Sequence, residues 1–146
     1  MEVTMKSKKN VAVLLTVLVV ACFVFHPAHA ATEGITYSTV KSADVYANVN
    51  SGGLLSVSIS YSGYNGITTG ASITSYVQKQ VLGLFWIKVD NGQPNNQWTD
   101  NVSGSSYFGS HTLLLSSSGT YRITAQFTMY ATTGNESITR QSTIVY

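Results

Sequence analysis

Cysteine is almost absent from this chain. Its 146 residues contain one, Cys22, within an apolar N-terminal run. The sequence after that run therefore offers no disulfide, no thiol nucleophile and no thiolate metal site. A domain without disulfides must be held together by its core alone. Residues 31–146 are sufficient for this, because one domain of that length buries roughly two-thirds of the surface of its unfolded chain.

Charged residues are also scarce. The chain has eight Lys and Arg residues and six Asp and Glu residues, and three of these bases and one of these acids precede residue 31. Residues 31–146 then carry five charges of each sign and a formal net charge of zero. Five scattered cations give no electrostatic footprint for a phosphate backbone, so we expect no nucleic-acid partner.

Residues that could perform catalysis are few. His111 is the only one of the three histidines that follows residue 30, so Ser-His-Asp chemistry would need it as the sole base. It shares a strand face with Leu113 and Leu115, which is typical of a structural histidine. Glycoside hydrolysis needs two carboxylates in proximity, and no spacing demands this of the acids that remain: Glu33, Asp44, Asp90, Asp100 and Glu136. We therefore expect a non-enzymatic protein without a cofactor.

The N-terminus has the three parts of an export signal. A short basic stretch at residues 6–9 precedes the apolar run Val11–Phe25, and the small-residue pattern Ala28-His29-Ala30 follows. This arrangement predicts a signal peptide over residues 1–30 and a mature domain over residues 31–146. The protein is then secreted to the extracellular space and has no membrane contact once the signal is removed.

Two alternatives to cleavage after Ala30 stay open. An uncleaved anchor is one, although the fifteen residues of the apolar run fall short of the roughly 20 that span a bilayer. Lipid attachment at Cys22 is the other, because small residues precede it. Against lipidation, the apolar run continues through Phe23, Val24 and Phe25.

Alternation of apolar and polar residues dominates residues 31–146, and no helical period is persuasive. In LLSVSISYSG, residues 54–63, the large apolar side chains face one way and the serines face the other. Glycine-rich and asparagine-rich turns separate such segments. About seven strands are predicted, at roughly residues 35–48, 54–63, 71–80, 84–90, 106–115, 119–130 and 137–146. Short strands at this spacing indicate an all-β antiparallel sandwich.

Trp86 lies in the densest apolar segment of the predicted domain, YVQKQVLGLFWIKVD, residues 76–90. We interpret the segment as two strands joined by a tight connection that ends at Gly83. Phe85 and Ile87 share a face of the second strand, and Trp86 lies on the other face. In a sandwich a large aromatic residue on a central strand usually packs in the core, so we expect Trp86 there. The alternative is an exposed platform for a ligand.

The segment DNGQPNNQWTD, residues 90–100, is predicted as a long loop. Trp98 within it has amide and hydroxyl neighbours, which suits stacking against a sugar ring. Alternatively, Trp98 folds down and caps one end of the sandwich. Oxygen ligands from Asp90, Asn95 and Asp100 form a weak calcium candidate, since their spacing matches no established calcium loop.

Two tyrosines complete the candidate binding residues. Tyr64 and Tyr107 are expected near loops at one end of the sandwich, close to Tyr61, where they would add adhesive surface. The alternative is that tyrosine simply favours strands. The candidate binding residues are thus Trp98, Tyr64, Tyr107 and Trp86.

Two segments resemble known proteins. SGTYRITAQF resembles the sixth strand of immunoglobulin-like sandwiches, with Gly119, Tyr121 and Ile123 at the motif positions. The resemblance implies that the Tyr121 hydroxyl bonds to the chain a few residues upstream. YVQKQVLGLFWIKV followed by GTYRI resembles small secreted proteins of Gram-positive bacteria, a family of unknown function, over roughly residues 54–146. It implies an immunoglobulin-like fold and an extracellular compartment, and no activity.

These observations predict a secreted binding module for a glycan or another cell-envelope polymer. A protein-interaction or self-assembling surface protein is an alternative, because edge strands with few charges leave pairing unblocked. A secreted toxin or inhibitor is a third hypothesis, supported only by small size and export.

Overall fold

Alternating side chains form eight β-strands in the part of the chain that the computed structural model describes, residues 39–146. The strands are β1 (Val40–Val49), β2 (Leu54–Gly63), β3 (Thr68–Val81), β4 (Phe85–Lys88), β5 (Trp98–Ser103), β6 (Ser106–Leu114), β7 (Thr120–Ala131) and β8 (Glu136–Val145). A single 3-10 turn at Pro94–Asn96 precedes β5. The predicted signal peptide, Cys22 and the cleavage position Ala30 lie outside the described residues.

The strands form two antiparallel sheets. The small sheet has the order β1-β2-β6, and the large sheet has the order β4-β3-β7-β8 with β5 also paired to β3. β7 pairs along one edge of β3. On the other edge, β4 pairs with Gln78–Val81 and β5 with Gly70–Ser75. Residues 89–97 connect these two short strands, and the backbone N–H of Val89 still donates to the carbonyl oxygen of Val77 at 2.9 Å.

The core lies between the sheets and confirms the predicted alternation. Side chains with no exposed surface come from β2, β3 and β7: Leu55, Val57, Ile59, Ile73, Val77, Ile123, Ala125, Phe127 and Met129. Burial of each large apolar side chain contributes about 1.5–3 kcal/mol to the free energy of unfolding. The all-β, two-layer class predicted from the sequence is therefore correct.

Side chains close one open side of the sandwich, where β1 faces β8. The Arg140 guanidinium donates from Nε to the carbonyl oxygen of Ala43 at 2.8 Å. The Glu136 carboxylate accepts the backbone N–H of Thr39 at 2.9 Å and also accepts the Thr39 hydroxyl. All described residues belong to one compact unit. Among them, no helix has the length and apolar character needed to cross a membrane.

Two strand predictions were wrong in detail. The predicted loop over residues 90–100 ends early, because β5 begins at Trp98. Asp and Asn are depleted in strands, so Asp100 and Asn101 made residues 98–103 resemble a loop in the sequence. Trp86 lies on the outer face of the large sheet, opposite Gln80, and is absent from the core. The reason is that β4 is a short edge strand, whereas the prediction assumed a central one.

Candidate functional site

The outer face of the small sheet carries a row of serines. Ser56, Ser58, Ser60 and Ser62 alternate along β2 with the buried apolar residues, so their hydroxyls point away from the core. β2 is the central strand of this sheet, and hydrogen bonds to β1 and β6 on both sides fix its backbone. The row is therefore a preformed strip of hydroxyl groups.

Two exposed aromatic rings flank this strip on opposite sides. Tyr46 of β1 is opposite Ser58, and Phe108 of β6 is opposite Ser60. Tyr46 is 67 % exposed and Phe108 is 74 % exposed. We call the serine row together with these two aromatic residues the serine face. Strand spacing and rise place the two Cα atoms about 12 Å apart across the diagonal.

The serine face carries little charge. Asp44, opposite Ser60 on β1, is the only charged residue in the four cross-strand rows that run from Ser56 to Ser62. Aromatic rings stack on the apolar faces of sugars, and hydroxyls exchange hydrogen bonds with sugar hydroxyls. The arrangement can therefore bind a neutral polar polymer with apolar ring faces.

A second cluster joins the sheets where β5 faces β6. Nε2 of His111 and Oδ2 of Asp100 lie 2.8 Å apart, and both side chains are about four-fifths buried (18 % and 19 % exposed). The His111 ring also stacks on the Trp98 indole, with centroids 4.8 Å apart and planes within 2°. His111 thus bridges the two sheets.

Two tyrosines next to this bridge have raised pKa values. Burial raises the pKa of Tyr107, and the negative charge of Asp100 and a hydrogen bond to it raise it further. Burial also raises the pKa of Tyr61, whose hydroxyl donates to the carbonyl oxygen of Gly104 at 2.7 Å. The Tyr61 and Tyr107 ring centroids lie 6.3 Å apart. These hydroxyls are engaged within the fold.

The four candidate binding residues do not share a surface. Trp98 is 9 % exposed and belongs to the core, as in the alternative that it caps the sandwich. Tyr107 is half-buried beside Asp100. Tyr64 is 39 % exposed at the β2–β3 turn, with Lys41 Nζ 5.2 Å from its ring centroid. Trp86 is half-buried on the large sheet, and Arg122 covers its ring.

The weak calcium candidate is not assembled. The Asp100 carboxylate pairs with His111. Asp90 instead accepts the backbone N–H of Gly92 at 2.9 Å within its own turn. In residues 39–146, no group of three His, Cys, Asp or Glu side chains could hold a metal ion.

Sequence reasoning did not single out Tyr46 and Phe108. The signal was present in the alternation, since His111 and Leu113 face inward on β6 and therefore Phe108 faces outward. The same alternation on β1 places Tyr46 on the outer face, because the preceding residue, Val45, is buried. The predicted binding residues lie near predicted loops or in the densest apolar segment, and they include neither Tyr46 nor Phe108.

No protein-family model, curated protein sequence or solved structure matches the chain. Its function must therefore be inferred from the residues themselves.

Proposed function

We propose that the chain is a secreted, non-enzymatic binding module whose serine face binds a glycan of the cell envelope. The observation that supports this most directly is the pair of exposed rings, Tyr46 and Phe108, on either side of a row of serine hydroxyls. Large rings in solvent contribute nothing to the core, whereas a stacked sugar would remove them from water.

The geometry favours binding in two further ways. Both rings project from hydrogen-bonded strands, and an aromatic side chain has only two rotatable angles, so little entropy is lost when a ligand stacks on it. The single carboxylate of Asp44 leaves the face nearly neutral, which suits an uncharged polysaccharide better than an anionic one.

The proposal includes an immunoglobulin-like plan for the sandwich. Its support is the strand order, since β1, β2 and β6 occupy the positions of strands A, B and E, and β3, β7 and β8 those of C, F and G. The hydroxyl of Tyr121 donates to the carbonyl oxygen of Ser117 at 2.5 Å, as the tyrosine corner requires. The extracellular location and the likeness to small secreted Gram-positive proteins remain part of the proposal.

Retention on insoluble polysaccharide tests this function. Purified protein is mixed with cellulose, chitin and isolated cell walls, and the bound fraction is measured against protein concentration. The double substitution Tyr46→Ala with Phe108→Ala should weaken binding about tenfold or more, which corresponds to 1.4 kcal/mol. Tyr130→Ala is the matched control, because Tyr130 is 40 % exposed on the large sheet instead.

The unfolding temperature of each variant shows whether the fold is intact. Equal retention of the double variant and the control would contradict the proposed site. Failure of the unaltered protein to bind any of these polymers would contradict the glycan proposal itself.

A further inference from the structure

We propose that the β3–β4 hairpin, on a different surface from the serine face, inserts into the interface of an anionic lipid membrane. The large apolar residues at and beside its turn are unusually exposed. Leu82 is 84 % exposed, Leu84 75 %, Phe85 60 % and Ile87 55 %. We call these four residues the hairpin tip. Exposed apolar groups of this kind mark interaction sites with proteins or membranes.

The turn itself is unfavourable for the residue it contains. Leu82 has a φ of 53° and is followed by Gly83 at 68°. Asn, Asp or Gly normally occupies the first of two consecutive turn positions with positive φ, because a side chain on the Cα is strained in that conformation. A leucine here costs stability and gains no burial, so its presence is not explained by the fold.

Other exposed apolar residues lie at the same end of the sandwich. The loop at residues 115–119 connects the two sheets at this end. It contacts β3 near the hairpin, where the Lys79 ammonium donates to the Ser117 hydroxyl at 2.6 Å. The backbone N–H of Leu115 donates to the carbonyl oxygen of Gly53 at 2.9 Å. Three exposed aliphatic residues surround this junction at the strand ends, namely Leu54, Leu114 and Val145.

Cations lie directly behind the hairpin tip. Lys88 and Arg122 are both opposite Gln78 on β3, and Lys79 is the next residue along that strand. These are three of the five basic residues between positions 39 and 146. The guanidinium carbon of Arg122 lies 4.2 Å from the centre of the Trp86 ring, and Lys88 Nζ lies 4.5 Å from that of Tyr76.

The acidic residues lie farther from the tip. Asp100 is opposite Ile73, six residues before Lys79 on β3, and Glu136 begins β8 beside Met129. Asp44 lies midway along β1, an edge strand of the small sheet. Asp90 follows Lys88 but turns back into its own loop. The hairpin tip is therefore bordered by the positive charges of Lys79, Lys88 and Arg122, which we call the positive collar. These charges attract anionic lipid headgroups and repel cationic surfaces.

The order of residues along the hairpin matches the depth profile of a bilayer. Leucines lie outermost, Trp86 lies behind them, and the cations follow; this is the order of hydrocarbon, interface and headgroup preferences. Leu82 lies three residues beyond Lys79, a rise of about 10 Å along a strand. Interfacial segments bury their apolar face about 5–10 Å deep.

A second copy of the chain fits this end less well than a membrane does. Two tips in contact would bring two positive collars together and leave both uncompensated. The sequence predicted no membrane contact once the signal peptide is removed, and it did not predict this exposed turn.

Vesicle binding tests the inference. The predicted mature domain, residues 31–146, is used because the apolar run before it would itself bind lipid, and folding is checked by circular dichroism. Cosedimentation is measured with phosphatidylcholine vesicles and with an equimolar mixture of phosphatidylcholine and phosphatidylglycerol. We expect binding to the anionic vesicles, accompanied by a blue shift of the tryptophan emission, since Trp98 is already buried and Trp86 is not.

Two variants separate the apolar and the charged contributions. Leu82→Ser with Leu84→Ser should weaken binding to anionic vesicles about tenfold or more, since two buried aliphatic side chains are lost. Lys79→Gln with Lys88→Gln should weaken it and reduce its dependence on salt. Tyr130→Ser is the control, because Tyr130 is 40 % exposed opposite Gly70, at the other end of β3 from the hairpin tip, and should bind vesicles normally.

Three results would overturn the inference. One is equal affinity for neutral and anionic vesicles, and another is unchanged binding by the leucine variant. The third is a dimer, seen by light scattering, that the leucine substitutions abolish while no vesicle binding occurs; the partner would then be a second copy. None of these results bears on polysaccharide retention by the serine face.

Discussion

The two tryptophans of the chain should differ sharply in their contribution to stability. Trp98 is 9 % exposed, belongs to the core and stacks on His111. Truncation of a buried tryptophan to alanine removes its transfer free energy and leaves a cavity, for a loss of about 3–5 kcal/mol. Since small domains have only about 5–15 kcal/mol in total, Trp98→Ala should remove a large share of the stability.

Trp86 provides the matched comparison. It is half-buried on a short edge strand, where its main specific contact is the Arg122 guanidinium at 4.2 Å. A cation–π contact of this kind contributes about 0.5–1 kcal/mol when partly exposed. Trp86→Ala should therefore cost about 1–2 kcal/mol, including lost packing. The Trp98 substitution should thus cost about two to three times as much.

Urea denaturation followed by far-UV circular dichroism measures both changes. For a unit of about 100 residues, each kcal/mol shifts the unfolding temperature by about 4–8 °C, so Trp98→Ala should lower it by more than 10 °C. Each variant retains one tryptophan, so acrylamide quenching gives an independent check: Trp98 should be shielded and Trp86 accessible. Equal losses of stability, or equal quenching of the two indoles, would refute the placement of Trp98 in the core.

Three other substitutions test separate contacts. Ser75 is fully buried and its hydroxyl has no partner in residues 39–146, so Ser75→Ala should leave urea stability unchanged or raise it by about 1 kcal/mol; a clear loss would argue against this. The Tyr107 pKa is raised above 10.0, so the folded chain keeps a proton that the unfolded chain loses, and stability should fall as pH rises through the folded pKa. Tyr107→Phe should flatten that fall, and an unchanged slope would contradict the cause. A Cβ at Gly70 would lie 2.4 Å from the carbonyl oxygen of Val102, so Gly70→Ala should cost about 1–3 kcal/mol in the same urea titration.

Local alternation explains what the sequence predicted well. The inward-facing side chains of β2 and β7 follow directly from the alternation of apolar and polar residues. A shift of the strand register by one residue would expose every apolar side chain. Tyr121 was placed by its motif, and its bond to Ser117 depends only on nearby residues. Such features need no knowledge of which strands pair.

Contacts between distant segments explain what the sequence could not supply. Asp100 faces inward because His111, eleven residues later, lies within 2.8 Å of it across the two sheets. The outward position of Trp86 depends on β4 forming only four residues of edge strand. The serine face requires β1, β2 and β6 to be neighbours, and β6 is separated from β2 by three intervening strands. The strand propensities of single residues do not show which distant segments pair or contact one another.

The length of β3 explains how the chain can present an apolar tip without weakening its core. β3 has 14 residues, while β2 has 10, and beyond Lys79 it pairs only with β4. The side chains at this overhang are half-buried or exposed, so they add little burial energy. A fold selected for stability alone would gain from polar residues and an Asn-Gly turn here, because Leu82 is strained and solvated. The overhang nevertheless contains Leu82 and Leu84. Residues that lower the stability of the fold in this way are characteristic of a surface that contacts something other than its own chain.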